Sequence, residues 1–245
     1  MLNFTYQGLT EWYQTRLGRW LMGLESAELK RYLVAAPLQH ILQIGGDPEL
    51  LGVAEKHLAY HYFLDPCFKE SSDLVVRAYF EELPLQPDSL NSIVIAHALE
   101  FCEHPTLLLK NCYEALAPGG DLIIFCFNRW SIWGLYKLLS DKKTAPWSGT
   151  FYSPSALKSR LKMLNFKIKS EKTFCFRPPV QTPPKQNRLR FCETLGQLGL
   201  GNLGAVNLIV ANKKMFSPLM QAAYNWENQK ERDTSLVEPN FFKQE

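Results

Sequence analysis

The chain lacks the means for a metal or disulfide framework. Its six cysteines (67, 102, 112, 126, 175 and 192) include no CxxC pair and no zinc-ligand spacing. They read as small core residues kept reduced in a cytoplasmic protein, with no metal expected. Charge of one sign is also lacking. The 27 basic residues against 24 acidic ones leave a net charge of +3 in 245 residues. That balance gives no signal for nucleic acid or an anionic membrane. The one small basic patch, RLRF at 188–191, has no stripe of interleaved aromatics around it. No apolar run approaches the roughly 20 residues that span a bilayer. The opening MLNFTYQGLTEWYQTRLGRW has no signal-peptide apolar segment, and no internal repeat is visible.

A large core, by contrast, is available, since 46% of residues are hydrophobic. Residues 10–34 carry apolar positions at helical spacing and predict one or two amphipathic helices, with Gly18 and Gly23 as weak points. Strand and helix signals then alternate. Strands are expected at 40–45, 61–64, within 73–80, within 89–99 and at 121–127, with helices at 48–58 and 106–116. Near-continuous apolar strands between helices argue for a parallel sheet covered on both faces. Such sheets bind ligands beyond the carboxyl ends of their strands. Further on, helices are expected at 131–139, 153–166 and 188–198, with Ser153 as an N-cap and Pro154 in the first turn. Strands are expected at 166–174 and 205–214, and a proline-rich loop at 177–186. The expected organisation is a helical extension over 1–35, a main domain over 36–215 with an insertion at 175–204, and a loosely held tail over 216–245.

The phrases inside these elements carry more than their order. EELPLQPDSLNSIVIAHALEF (81–101) puts an acidic pair before Leu-Pro, then a turn, then an apolar strand ending at Leu99-Glu100. EALAPGG (114–120) precedes another strand, where proline and glycine suit a helix stop. Together with GAVNLIVANKK (204–214), these phrases make the chain resemble the class I S-adenosylmethionine-dependent methyltransferases. The likeness is to the type 11 family, in a bacterial branch, over roughly residues 10–214. It implies a Rossmann-like α/β sandwich: a mostly parallel seven-stranded sheet with an antiparallel last strand and helices on both faces. It also implies S-adenosyl-L-methionine as cofactor.

The stretch ILQIGGDPEL (41–50) is where this chain departs from the family. Gln43 stands where the family has an acid, and Asp47 and Glu49 replace later glycines of the turn that begins at Gly45 and Gly46. A pyrophosphate-binding turn needs those glycines, whereas S-adenosylmethionine brings a carboxylate, an ammonium and a sulfonium and tolerates an acid nearby. Asp47-Pro48-Glu49 is also a good helix start, so Asp47 reads either as a contact for the ammonium or only as a cap. Asp65, twenty positions after Gly45, matches the family's ribose-binding acid, because a carboxylate offers two acceptor oxygens. By the same resemblance, Tyr79 or Phe80 stacks on adenine and Glu81 accepts from its amino group. The other reading of Glu81 is a solvated helix start.

Two residues are candidates for catalysis, His97 after the fourth strand and Asn128 after the fifth. A histidine with a pKa near ~6.5 can serve as a general base. It can equally be a packed residue over the cofactor. Trp130 and Trp133 read as walls of an acceptor pocket or as core. The IAHALE phrase at 95–100 differs from the Asn-Pro-Pro-Tyr type used on exocyclic base amines. The resemblance implies methyl transfer, and the extra segment at 175–204, placed to close over the site with the N-terminal helices, favours a small or medium-sized acceptor. The competing expectation is a non-catalytic binding or regulatory partner that keeps the fold, since Gln43, Asp47, Tyr79 and Asn91 all depart from the family pattern.

Overall fold

A computed structural model describes residues 2–33, 40–52, 60–66, 75–76, 78–80, 83–140, 144–179 and 202–214. The chain divides into two units, Met1–Lys213 and Lys214–Glu245, and every described helix and strand belongs to the first. The expected helix at 188–198 and the tail over 216–245 lie outside the described residues, as do residues 180–201 of the expected insertion.

The apolar runs form a seven-stranded sheet. Its strands are β1 (His40–Ile44), β2 (Tyr60–Leu64), β3 (Val75–Val76), β4 (Leu90–Ala96), β5 (Leu116–Phe127), β6 (Phe166–Phe174) and β7 (Val206–Lys213). Their spatial order is β3-β2-β1-β4-β5-β7-β6. The first five strands pair in parallel, with Leu42 beside Tyr62 on one side and Ile93 on the other. β7 runs antiparallel to both neighbours, pairing Ile209 with Ile124 and Glu171. The expected sheet, mostly parallel with an antiparallel last strand, is the one observed. Ile93 to Ala96 and Leu122 to Phe127 are buried without interruption, as a sheet covered on both faces requires.

The order reverses between β1 and β4, the place at which sheets of this kind take a ligand beyond the carboxyl ends of their strands. Two helices lead into it, α1 (Leu2–Tyr13) and α2 (Arg16–Leu33). The break between them is not at Gly18 or Gly23, as the sequence suggested, but at Gln14-Thr15. There the Thr15 hydroxyl accepts from the Gly18 amide at 3.2 Å and caps the second helix. Gly18 is required for another reason: a Cβ there would sit 2.3 Å from the Trp12 carbonyl. α1 buries Tyr6, Leu9, Trp12 and Tyr13, and α2 buries Leu17, Leu21, Leu29 and Leu33.

The remaining described helices are α3 (Glu49–Gly52), α4 (Pro105–Ala115), α5 (Ile132–Leu139) and α6 (Pro154–Met163), with a 3₁₀ turn at Leu99–Phe101. Ser153 caps α6 and Pro154 sits in its first turn, as the sequence predicts. Pro118-Gly119-Gly120 behaves differently from the expected helix stop. The helix ends at Ala115, and the motif lies inside β5, where the pairing with β4 slips between Leu90 and Ser92. Gly119 takes φ +82° there, which glycine accepts without strain.

Candidate cofactor and acceptor site

Sheet hydrogen bonds continue one residue past each strand and fix the candidate residues in space. Gly45 donates to Leu64 O at 3.0 Å and Asp65 to Val76 O at 3.3 Å. His97 donates to Phe125 O at 3.0 Å and Asn128 to Ala205 O at 2.8 Å. These ladders bring Gly45, Asp65, His97 and Asn128 to one edge of the sheet, at the carboxyl ends of β1, β2, β4 and β5.

The β1 turn is built by its own side chains. Gly45 and Gly46 both adopt positive φ, +73° and +75°. A Cβ on Gly46 would lie 2.6 Å from the Ala96 Cβ, so the turn packs directly on the end of β4. The Gln43 amide nitrogen donates to Gly45 O and Asp47 O, each at 2.8 Å. Both partners are carbonyls, which fixes the orientation of the amide. Its other atom, Oε1, is buried with no partner among the described residues. Asp47 accepts from the Glu49 amide at 2.9 Å through Oδ1 and from the Gln14 amide nitrogen at 3.2 Å through Oδ2. Asp47 therefore caps α3 and ties the turn to the segment between α1 and α2. Burial raises its carboxyl above the usual pKa, and the Glu49 amide opposes that rise.

Asp65 is buried beside the turn. The Tyr6 hydroxyl donates to Asp65 Oδ2 at 3.2 Å and accepts from the Gly46 amide at 3.0 Å. Phe80 is buried and meets the Tyr6 ring edge-on at 4.9 Å. Tyr79 is 57% exposed, and Glu81 lies outside the described residues.

Around β4 and β5 the chemistry is different. His97, at φ +51°, is fully buried between two acids. Its Nε2 lies 2.8 Å from Glu25 Oε1 and its Nδ1 2.8 Å from Glu100 Oε1. Glu25 also accepts from the Tyr13 hydroxyl at 3.1 Å, and Glu100 from the Phe127 amide at 2.7 Å. Burial alone would lower the His97 pKa, but the two carboxylates reverse this and raise it to about 9. At neutral pH both ring nitrogens then carry protons, so His97 has no lone pair to act as a base. Burial and Glu25 raise the Tyr13 hydroxyl pKa well above its ordinary value. Glu100 Oε2 is buried without a partner among the described residues.

Asn128 ties the end of β5 to the approach to β7. It donates to Asn202 O at 2.8 Å and Gly204 O at 2.9 Å and accepts from the Trp130 amide at 3.0 Å. Of the two tryptophans beside it, Trp133 is fully buried and stacks on Phe127 at 5.7 Å, whereas Trp130 is 63% exposed. Phe151 stacks on the same Phe127 ring at 5.0 Å. Sequence reasoning missed Tyr6, Tyr13, Gln14, Glu25 and Glu100. Tyr13, Gln14 and Glu25 carried only helical spacing, which marks a buried face without naming what it faces; Tyr6 precedes the stretch read as helical, and Glu100 was read only as the end of an apolar strand phrase.

The donor and acceptor set has a clear preference. Asp47 and Asp65 flank the turn with negative charge, which disfavours a phosphate. Asp65 suits hydroxyl donors, and the orphaned Gln43 Oε1 suits an ammonium. The strand order, with its antiparallel β7 and its glycine turn after β1, has a match among known proteins. The sequence model of the type 11 methyltransferase-domain family matches residues 23–124. The chain has the class I methyltransferase fold. A SAM-dependent methyltransferase from Thermotoga maritima superposes with a TM-score of 0.59 at 20% identity, covering 87% of this chain and 100% of that one. Another from Archaeoglobus fulgidus gives 0.56 at 20% identity, covering 78% and 94%. Among curated proteins, the uncharacterized protein YafS of Escherichia coli is 29% identical over 133 residues, 54% of this chain. The chain spans about half the length of that relative, 52%. The resemblance read from the sequence phrases thus agrees with the family match and with the methyltransferase fold.

Proposed function

We propose that the protein is an S-adenosylmethionine-dependent methyltransferase acting on a small or medium-sized acceptor. The observation that carries this reading is Asp65 at the end of β2, beside the positive-φ turn Gly45-Gly46. A cofactor held there would supply a methyl group on a sulfonium, for an acceptor to take by in-line displacement as the S–CH3 bond breaks and the neutral thioether leaves. The chain's own groups then hold and align. Asp65 accepts from the ribose hydroxyls. Gln43 Oε1 accepts from the ammonium, the role that Asp47, engaged as a helix cap, leaves open. Phe80 offers an apolar surface to the base. His97 holds the floor of the acceptor side as a fixed cation, and alignment with water exclusion carries the rate. Phe127, Trp133 and Phe151 stack into a buried aromatic group that backs that side.

Calorimetric titration with S-adenosylhomocysteine tests the reading. Micromolar binding is expected, weakened at least about tenfold in Asp65→Ala, since each hydrogen bond to a charged group is worth about 1.5–3 kcal/mol. Equal binding by the two proteins refutes the assignment of Asp65. The second reading is a binding protein that keeps the fold without catalysis. One observation favours it: the Tyr6 hydroxyl stands between Gly46 and Asp65, where a cofactor would lie.

A further inference from the structure

The glycines and the carboxylate that make a cofactor cleft are in place, yet the cleft is filled from within. Gly45, Gly46 and Asp65 are all buried. The space that a Cβ on Gly45 would take is held by the Tyr6 hydroxyl, 2.8 Å from that position. The same hydroxyl uses the only proton of the Gly46 amide and one oxygen of Asp65. Its ring is wedged edge-on between Phe80 at 4.9 Å and Phe101 at 5.8 Å.

We propose that Tyr6 is an intramolecular plug: in the closed state its side chain occupies the cofactor cleft, and cofactor binding requires the first turns of α1 to withdraw. The proposal rests on the cofactor reading above and adds a gate to it. The Gly46 amide has one proton to give and the Tyr6 hydroxyl already takes it, so plug and cofactor compete for that donor and for the space beside it. The plug is weakly founded in its own helix. α1 is 12 residues long, too short to hold its form without tertiary contacts. Its far end is anchored independently, by Trp12 against Phe127 at 6.2 Å and Trp133 at 6.1 Å and by the Tyr13 hydroxyl on Glu25. The near end can thus open while the far end stays attached. That arrangement also links the two halves of the site, because α1 touches the cofactor turn at Tyr6 and the His97 network at Tyr13.

Tyr6→Phe keeps the ring packing and removes only the hydroxyl. The plug predicts that S-adenosylhomocysteine binds this variant about tenfold more tightly than the parent, because the competent fraction rises. Unchanged affinity means that the hydroxyl does not compete, and weaker affinity makes Tyr6 a cofactor ligand; either overturns the plug while leaving the cofactor reading standing. Hydrogen exchange supplies a readout independent of catalysis. On adding S-adenosylhomocysteine to the parent, amides of residues 6–9, the first that α1 hydrogen-bonds, should lose protection. A gain overturns the plug. Should neither protein bind, the cofactor reading falls, and the ligand-free comparison still decides the contact. The Gly46 amide must exchange faster in Tyr6→Phe than in the parent, and equal rates remove the contact on which the plug rests.

Discussion

Replacing His97 removes the cation held between two buried carboxylates. It is faced by Glu25 from α2, Tyr13 from α1, Glu100 from the 3₁₀ turn and the ring of Phe127 from β5. His97→Asn is the informative change, because asparagine tolerates the φ of +51° and so leaves the backbone unstrained. Two carboxylates then lose their shared partner in a site closed to water. Breaking a buried ion pair from one side costs about 3–5 kcal/mol. The pH dependence gives a second, independent number. The His97 pKa rises from 6.5 to about 9 on folding, so the folded protein holds the proton more tightly than the unfolded one. That stabilisation is fully present below pH 6.5, shrinks as pH rises, and is gone above about pH 9. Its size is on the order of 3 kcal/mol. Urea unfolding of both proteins at intervals from about pH 6 to about pH 9.5 measures it. The parent should lose roughly 3 kcal/mol more across that range than His97→Asn does. Parallel curves for the two proteins refute the buried imidazolium.

Two changes probe the turn after β1. Gly46→Ala forces a side chain into a positive-φ position 2.6 Å from the Ala96 Cβ and should destabilise by about 2–4 kcal/mol, read as a lower Tm with an unchanged urea m-value. Gln43→Glu restores the acid usual in the family, but here it removes both donors and sets a carboxylate against the carbonyls of Gly45 and Asp47. It should destabilise by about 2–5 kcal/mol, and a neutral result in urea unfolding would show that the amide does not staple the turn.

The sheet was legible because its signals are local. Apolar runs such as SIVIA and LIIFCF are buried on both faces, and Ser153-Pro154 marks a helix start by its own chemistry. The Pro-Gly-Gly motif misled because a helix stop and a slipped strand pairing ask for the same residues; only the neighbouring strand decides between them. Asp65 and the glycine turn were legible by position along the chain. The groups that face them were not. Tyr6 reaches across 59 positions to Asp65, and Glu25 across 72 to His97. Glu25 reads as an ordinary exposed helix acid until α2 brings it to His97, just past the end of β4. His97 gives the sharpest case. A lone histidine at a strand end reads as a base, and only the two carboxylates brought by other elements turn it into a fixed cation.

A crystal structure of the full chain grown with S-adenosylhomocysteine tests the gated cofactor site most directly. The ribose is expected on Asp65, the amino group of the homocysteine end within hydrogen-bonding distance of Gln43 Oε1, and the Tyr6 hydroxyl gone from the Gly46 amide. Crystals grown at saturating ligand that show Tyr6 still bridging Gly46 and Asp65, with no ligand beyond the carboxyl ends of β1 and β4, would contradict both the cofactor site and its gate.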